Sequence, residues 1–277
     1  MDLEQLFALV PHGPDTFVGA GGSYPWGGLY GGHIVAQALR AAAETVEPEL
    51  IAHSLRAYFI RRGDASEPVR YEVDRIRNGR SFSTRRVVAR QAIGAILNLE
   101  ASFQRAEDQL DLAPVTIDPA VPRPELLASD AWTPAFDRRW VPRDALDDRG
   151  RDGRGRTAAW MRASGQLGDD QLLQRCALAY ISDDLPADTV MRAHPEFGPR
   201  REQGEGEHGL FVASLDHTIW FHAPLRADEW HLYDFSCHRY VGGRGLAIGH
   251  VFDESGIHAA TVAQEALVRD VQRPARP

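Results

Sequence analysis

From Gly31 the sequence reads GGHIVAQALRAAA (31–43), then IAHSLRAYFIRR (51–62), EPVRYEVDRIRNG (67–79), SFSTRRVVARQ (81–91) and AILNLEASFQR (95–105). The first segment places Ile34, Val35, Ala38, Leu39 and Ala42 at helical spacing, one apolar stripe on one face. The others alternate. Leu55, Ala57 and Phe59 share one side of their segment, and Val69, Tyr71 and Val73 oppose Arg70, Glu72 and Asp74. Leu97, Leu99, Ala101 and Phe103 oppose Asn98, Glu100, Ser102 and Gln104. Asn78-Gly79 is a two-residue hairpin signal between two of the strands. The pattern predicts one helix followed by an antiparallel four-strand meander.

The second half repeats it. Asp169 is the expected N-cap of a helix with the stripe Leu172, Leu173, Cys176, Ala177, Tyr180 and Ile181. Strands are expected near 209–222, 230–240, 245–253 and 257–269, with turns at Gly242-Gly243 and Ser255-Gly256. Laid over one another, the halves place Gln264 on Gln104 and Ser214 on Ser54. The expected organisation is therefore α+β, with one helix-plus-sheet repeat over 1–106 and a second over 131–277. Residues 107–130, with Pro114, Pro119, Pro122 and Pro124, read as a surface linker. Residues 144–156 (DALDDRGRDGRGR) read as a solvated loop or an anion-binding one, and 184–208, with its GEGEH, as a flexible loop.

Composition narrows the chemistry. The 31 basic residues are all arginine, against 39 acidic ones, for a formal charge of −8. Without lysine there is no Schiff-base chemistry and no phosphate-loop lysine. The acidic balance argues against nucleic acid as a partner. No apolar run is long enough for a membrane span, and MDLEQLFALV lacks the basic start of a signal peptide. Cys176 and Cys237 do not make a disulfide framework, which fits a reducing cytoplasm.

Several segments resemble a family. YGGHIVAQALRAA, HSLRAYFIRRGDASEPVRYEV, RNGRSFSTRRVVA and ASFQ are similar to the N-terminal half of type II acyl-CoA thioesterases, and ASLDHTIWFHAPLRADEWHLY and ATVAQEALVR to the C-terminal half. The resemblance implies a double hot dog, in which each antiparallel sheet wraps a central helix and the two sheets join side by side. It also implies hydrolysis of acyl-CoA to free acid and CoA, self-association as a homodimer or homotetramer, and no cofactor. The implied catalytic group is an Asp at the end of the second helix, a Thr on the next strand and a Gln on the last strand. These fall on Asp183, Ser214 and Gln264, serine standing where the family pattern has threonine. In the first copy Glu44 is near the corresponding helix end and no Asp is in register, so a single active centre is expected in the second copy.

This trio suits a thioester, whose carbonyl needs only a positioned water, a base and stabilisation of the developing oxyanion. Direct water attack and a mixed anhydride on Asp183 are both open. Gly31-Gly32 permits close backbone approach to a ligand or simply a tight turn into the helix. Arg61, Arg62, Arg85, Arg86, Arg200 and Arg201 are the candidates for gripping CoA phosphates. Two other functions fit a hot dog: a hydratase, though no Asp/His dyad is apparent, and a non-enzymatic acyl-CoA sensor. Asp216, His217 and His222 prompt a metal-hydrolase reading, but they fit no HExxH spacing and alternation divides them between two faces. No GxSxG elbow supports a nucleophilic serine.

Overall fold

A computed structural model describes residues 2–146, 155–202 and 209–270, with backbone alone for 200–202. In chain order the elements are α1 (Leu3–Leu6), β1 (Leu9–Pro11), β2 (Thr16–Gly19), α2 (Gly31–Ala43), β3 (Leu50–Phe59), β4 (Val69–Asn78), β5 (Phe82–Gln91) and β6 (Gly94–Arg105). They continue with β7 (Phe136–Trp140), β8 (Arg156–Ala163), α3 (Gln171–Ser182), α4 (Leu185–Ala193), α5 (Phe197–Glu202), β9 (Leu210–Ser214), β10 (Asp216–Phe221), β11 (His231–Val241), β12 (Arg244–Asp253) and β13 (His258–Asp270).

The strands form a single antiparallel sheet in the order β1-β2-β4-β5-β6-β3-β10-β13-β12-β11-β8-β7, and β9 prolongs β10 along β13. The order is a palindrome about the β3–β10 seam, where Ala57 pairs with His217. Each half has a long helix against its inner face, and α2 and α3 pack on each other. This is the double hot dog. Each half carries two strands that the meander did not anticipate, β1 and β2 in one and β7 and β8 in the other. β1, β2 and β7 have only three to five residues, too few for a clear alternation.

The apolar stripes account for the core. Ile34, Val35, Ala38, Leu39 and Ala42 are all buried, as are Leu173, Cys176, Ala177, Tyr180 and Ile181. A second apolar cluster lies on the outer face of the C-terminal half. There Val115, Ile117, Val121 and Leu127 from the proline-rich segment cover Trp160, Trp230, Leu232 and Phe252. The indole of Trp160 donates to the Pro122 carbonyl at 2.8 Å, so this stretch of chain is packed on the sheet.

Three local readings are corrected. The N-cap of α3 is Asp170, whose carboxylate accepts from the N–H groups of Leu172 and Leu173, while Asp169 is exposed and paired with Arg226. The β4–β5 hairpin turns at Arg80-Ser81, because the Gly79 N–H donates to Phe82 O at 2.9 Å. A Cβ on Gly79 would come within 2.5 Å of that carbonyl, so its glycine serves a close approach. Finally, residues 185–193 are the helix α4, with Pro186 in its first turn and Leu185, Val190 and Met191 buried. Proline suits a helix start and cannot continue a preceding one, which is why α3 stops at Ser182 and a new axis begins. The GEGEH at 204–208 and most of the 144–156 stretch lie outside the described residues.

Candidate active site

Asp183 sits at the junction of α3 and α4 as the C-cap of α3, and only 6% of it is exposed. One carboxylate oxygen accepts from the Ser214 hydroxyl at 3.2 Å, the other from the Gly32 N–H at 2.8 Å. Gln264 donates from Nε2 to Ser214 Oγ at 2.8 Å. The three residues named from the sequence are therefore in one hydrogen-bonded row, contributed by a helix end, the last residue of β9 and the middle of β13.

The Gly32 N–H comes from the first turn of α2, in the other half of the molecule. This reach depends on glycine. A Cβ on Gly31 would lie 2.5 Å from the Asp183 carboxylate, and one on Gly32 would lie 2.2 Å from the Tyr180 carbonyl. The glycine pair thus lets the start of α2 press against the end of α3. A Cβ on Gly31 would also meet Phe59, and one on Gly32 would meet Tyr30.

Burial dominates the electrostatics of Asp183 and pushes its pKa up to about 7, opposed by the bonds from Ser214, Gly32 and Gln264. Its neighbour Asp184 is held differently. Asp184 accepts from Arg138 at 2.6 Å and from the Trp132 indole at 2.6 Å, so it is spent in an ion pair. Two adjacent carboxylates thus have distinct tasks: one with a cation, one with neutral donors only.

The row extends further than the sequence reading reached. His217 Nδ1 lies 2.5 Å from Gln264 Oε1, and its Nε2 lies 2.9 Å from Ser182 Oγ. His217 is wholly buried and held neutral, its pKa depressed to about 4 by desolvation. The sequence carried a signal for it, an odd-numbered histidine on the inward side of a strand, but beside Asp216 and His222 that signal suggested a metal. Those neighbours face elsewhere. Asp216 accepts from the Glu265 N–H, and His222 bonds Thr261. Among the described residues no group of three or more His, Cys, Asp or Glu is arranged to hold a metal ion.

The seam also corrects the alignment of the two copies. His53 is an extra residue between the pairs Ala52–Phe103 and Ser54–Ser102, and Leu215 is its counterpart between Ser214–Ala266 and Thr218–Ala263. Matching these bulges superposes Ala52 on Ser214, Leu55 on His217 and Ala101 on Gln264. Ser54 and Gln104 are not the counterparts: they lie two and three residues beyond Ala52 and Ala101, where they pair with Ser102 and Ile51. Glu44, the C-cap of α2, does correspond to Asp183.

The arginines separate. Arg85, 2% exposed, gives its guanidinium to Thr45, Asn78 and the carbonyls of Thr45, Arg77 and Thr84, which leaves nothing for a phosphate. Arg86 is exposed and paired with Asp74 at 2.5 Å. Arg61 donates to the Ala95 carbonyl at 2.8 Å, and Arg62 to the Trp26 carbonyl, beside the loop that leads into α2. The side chains of Arg200 and Arg201 lie outside the described residues.

Comparison with known proteins identifies the family. Residues 21–104 match the family described as acyl-CoA thioesterase N-terminal domain, and residues 110–268 match its C-terminal domain. The chain is 36% identical to acyl-coenzyme A thioesterase 8 of Mus musculus, covering 87% of this chain and 80% of that one. It is 34% identical to acyl-CoA thioesterase 2 of Haemophilus influenzae, covering 87% of each. Among solved structures, an acyl-CoA thioesterase II from Mycobacterium marinum superposes with a TM-score of 0.86 at 36% identity over 100% of both chains. The chain belongs to the type II acyl-CoA thioesterase family.

Proposed function

We propose that this acyl-CoA thioesterase works by direct attack of water, with Asp183 as base and Ser214 and Gln264 orienting the water. The observation that carries the reading is the row Gln264–Ser214–Asp183, which ends on a buried carboxylate with a pKa near 7 and no cation beside it. A base of that strength is half ionised near neutrality, where it can both accept a proton and return it. Water adds to the thioester carbonyl carbon and its proton passes to Asp183. The tetrahedral intermediate then collapses, the C–S bond breaks, and CoA leaves as a thiolate that takes the proton back. These steps call on no cofactor or metal.

Single turnover in heavy-oxygen water tests the route. Label in the free acid and none in Asp183 is the expected outcome; label in the Asp183 carboxylate would establish a mixed anhydride instead. Release of CoA thiol across a series of acyl-chain lengths separates hydrolysis from a sensor role, which predicts binding without thiol.

In this reading Arg61 and Arg62 are the arginines available to the CoA phosphates, with Arg86 the weaker candidate because it is already paired. The protein is further proposed to be a cytoplasmic homodimer or homotetramer. Two free cysteines, and the absence among the described residues of a helix long and apolar enough to cross a membrane, support the location. Exposed Tyr58 and Trp220, on the outer face of neighbouring strands at the seam, support self-association. Light scattering in solution and cell fractionation test these two points.

A further inference from the structure

The hydrogen bonds around Gln264 have a direction, and one residue sets it. A glutamine amide can sit either way round, with oxygen and nitrogen exchanged. Gln264 Oε1 is an acceptor only, so the 2.5 Å contact with His217 requires a proton on His217 Nδ1. The imidazole is neutral, so Nε2 is then bare and accepts from the Ser182 hydroxyl at 2.9 Å, taking that proton in preference to the Ala179 carbonyl 3.3 Å away. With its oxygen engaged, Gln264 turns its NH₂ toward Ser214, whose oxygen accepts at 2.8 Å. The single Ser214 proton is thereby left for Asp183. Exchange the ends of the amide and the sense reverses: Gln264 oxygen would take the Ser214 proton, and the ionised Asp183 would lose a donor.

We propose that His217, held by Ser182, is a positioning residue that fixes the orientation of Gln264 and so directs the Ser214 hydroxyl onto Asp183. It touches neither substrate nor Asp183 and acts wholly through the amide. The inference rests on the reading of Asp183, Ser214 and Gln264 as the catalytic row. The first copy agrees with it, since Leu55 and Ala101 take the places of His217 and Gln264, so the histidine and the amide it orients are absent together.

Four measurements on the protein test it. Nitrogen-15 NMR of the imidazole should report the Nδ1–H tautomer for His217; the Nε2–H tautomer would overturn the proposal whatever the activity of any variant. His217→Leu should lower kcat by at least about tenfold with KM within about twofold, because orientation is lost while binding is kept. His217→Asn places an N–H₂ near the former Nδ1 and should recover most of kcat; no recovery from a folded Asn variant would overturn it. In a Gln264→Met background, His217→Leu should have no further effect on kcat, and a multiplied loss would count against action through the amide. Failure of the underlying row is distinguishable: Asp183→Ala and Gln264→Met would then both retain wild-type kcat. Loss in those two, with His217→Leu fully active, would sink the histidine proposal alone.

Discussion

The two halves of the sheet are built alike and furnished differently. At the end of α3 the inner face presents Ser214, His217 and Gln264 around a buried carboxylate. At the end of α2 the same positions are Ala52, Leu55 and Ala101, and the C-cap, Glu44, is half exposed in a 3.8 Å contact with Arg40. A cation fills the space instead. Arg85, which pairs with Ala101 as Ala247 pairs with Gln264, ties the end of α2 to Thr45 and Asn78. The difference separates what a hot-dog helix end needs in order to fold from what it needs in order to react. Both ends are closed by hydrogen bonds, but only one is closed by groups that leave a carboxylate with neutral partners.

The comparison is broken most directly by exchanging its carboxylates. Asp183→Ala should reduce kcat by about a hundredfold or more, the usual scale for a general base. Glu44→Ala should leave it unchanged, and steady-state kinetics of the pair decide. Next in size is the link between the halves. Gly32→Ala should cost at least about tenfold in kcat and lower Tm, because its Cβ would meet the Tyr180 carbonyl at 2.2 Å and displace the N–H that holds Asp183. An unchanged kcat would show that this donor is dispensable.

Arg85→Met tests the silent end. It strands the buried hydroxyl and carbonyl of Thr45 and should cost about 2–4 kcal/mol of stability in denaturant melts, with kcat unchanged. A loss of kcat with stability intact would assign Arg85 to catalysis.

Protonation of Asp183 sharpens the contrast further. A base must be ionised, so kcat should fall as pH drops through about 7. Stability runs the opposite way. A carboxyl whose folded pKa is raised contributes stability below its unfolded value near about 4 and loses that contribution as pH rises through the folded value. Asp183→Asn should therefore raise Tm by a few degrees at about pH 8 and by nothing at about pH 4. A benefit that grows toward acid would contradict the burial argument. Smallest of all, Gln104→Ala and Ser54→Ala should each shift stability by under about 0.5 kcal/mol and leave kinetics alone.

Much of this was legible in the sequence. The stripes of α2 and α3 and the alternation of the long strands are strong periodic signals, and they locate the repeat without any ligand. Asp183, Ser214 and Gln264 followed from resemblance rather than from spacing, and they do meet. Three things were hidden. The connections between elements differ in length between the copies with no compositional mark, so one fixed offset put Ser54 and Gln104 two and three residues from the true counterparts. α4 was concealed by Pro186, which reads as a breaker although it starts a helix. Arg85 reads in the sequence as one of several candidates for CoA phosphates, because it lies among arginines on an alternating strand. Only the register shows that its side of β5 faces inward, where a buried guanidinium survives by spending every donor.

The donation from Gly32 to Asp183 has a consequence for how damage to this protein will present itself. The first half of the chain supplies the backbone N–H against which the proposed base of the second half is set. A survey of inactivating substitutions will therefore find a dense group of them at the start of α2, more than a hundred residues along the chain from the acid they disable. Read as a map, such a survey would mark a site at α2, where on the proposed mechanism those residues form a wall of the site at Asp183.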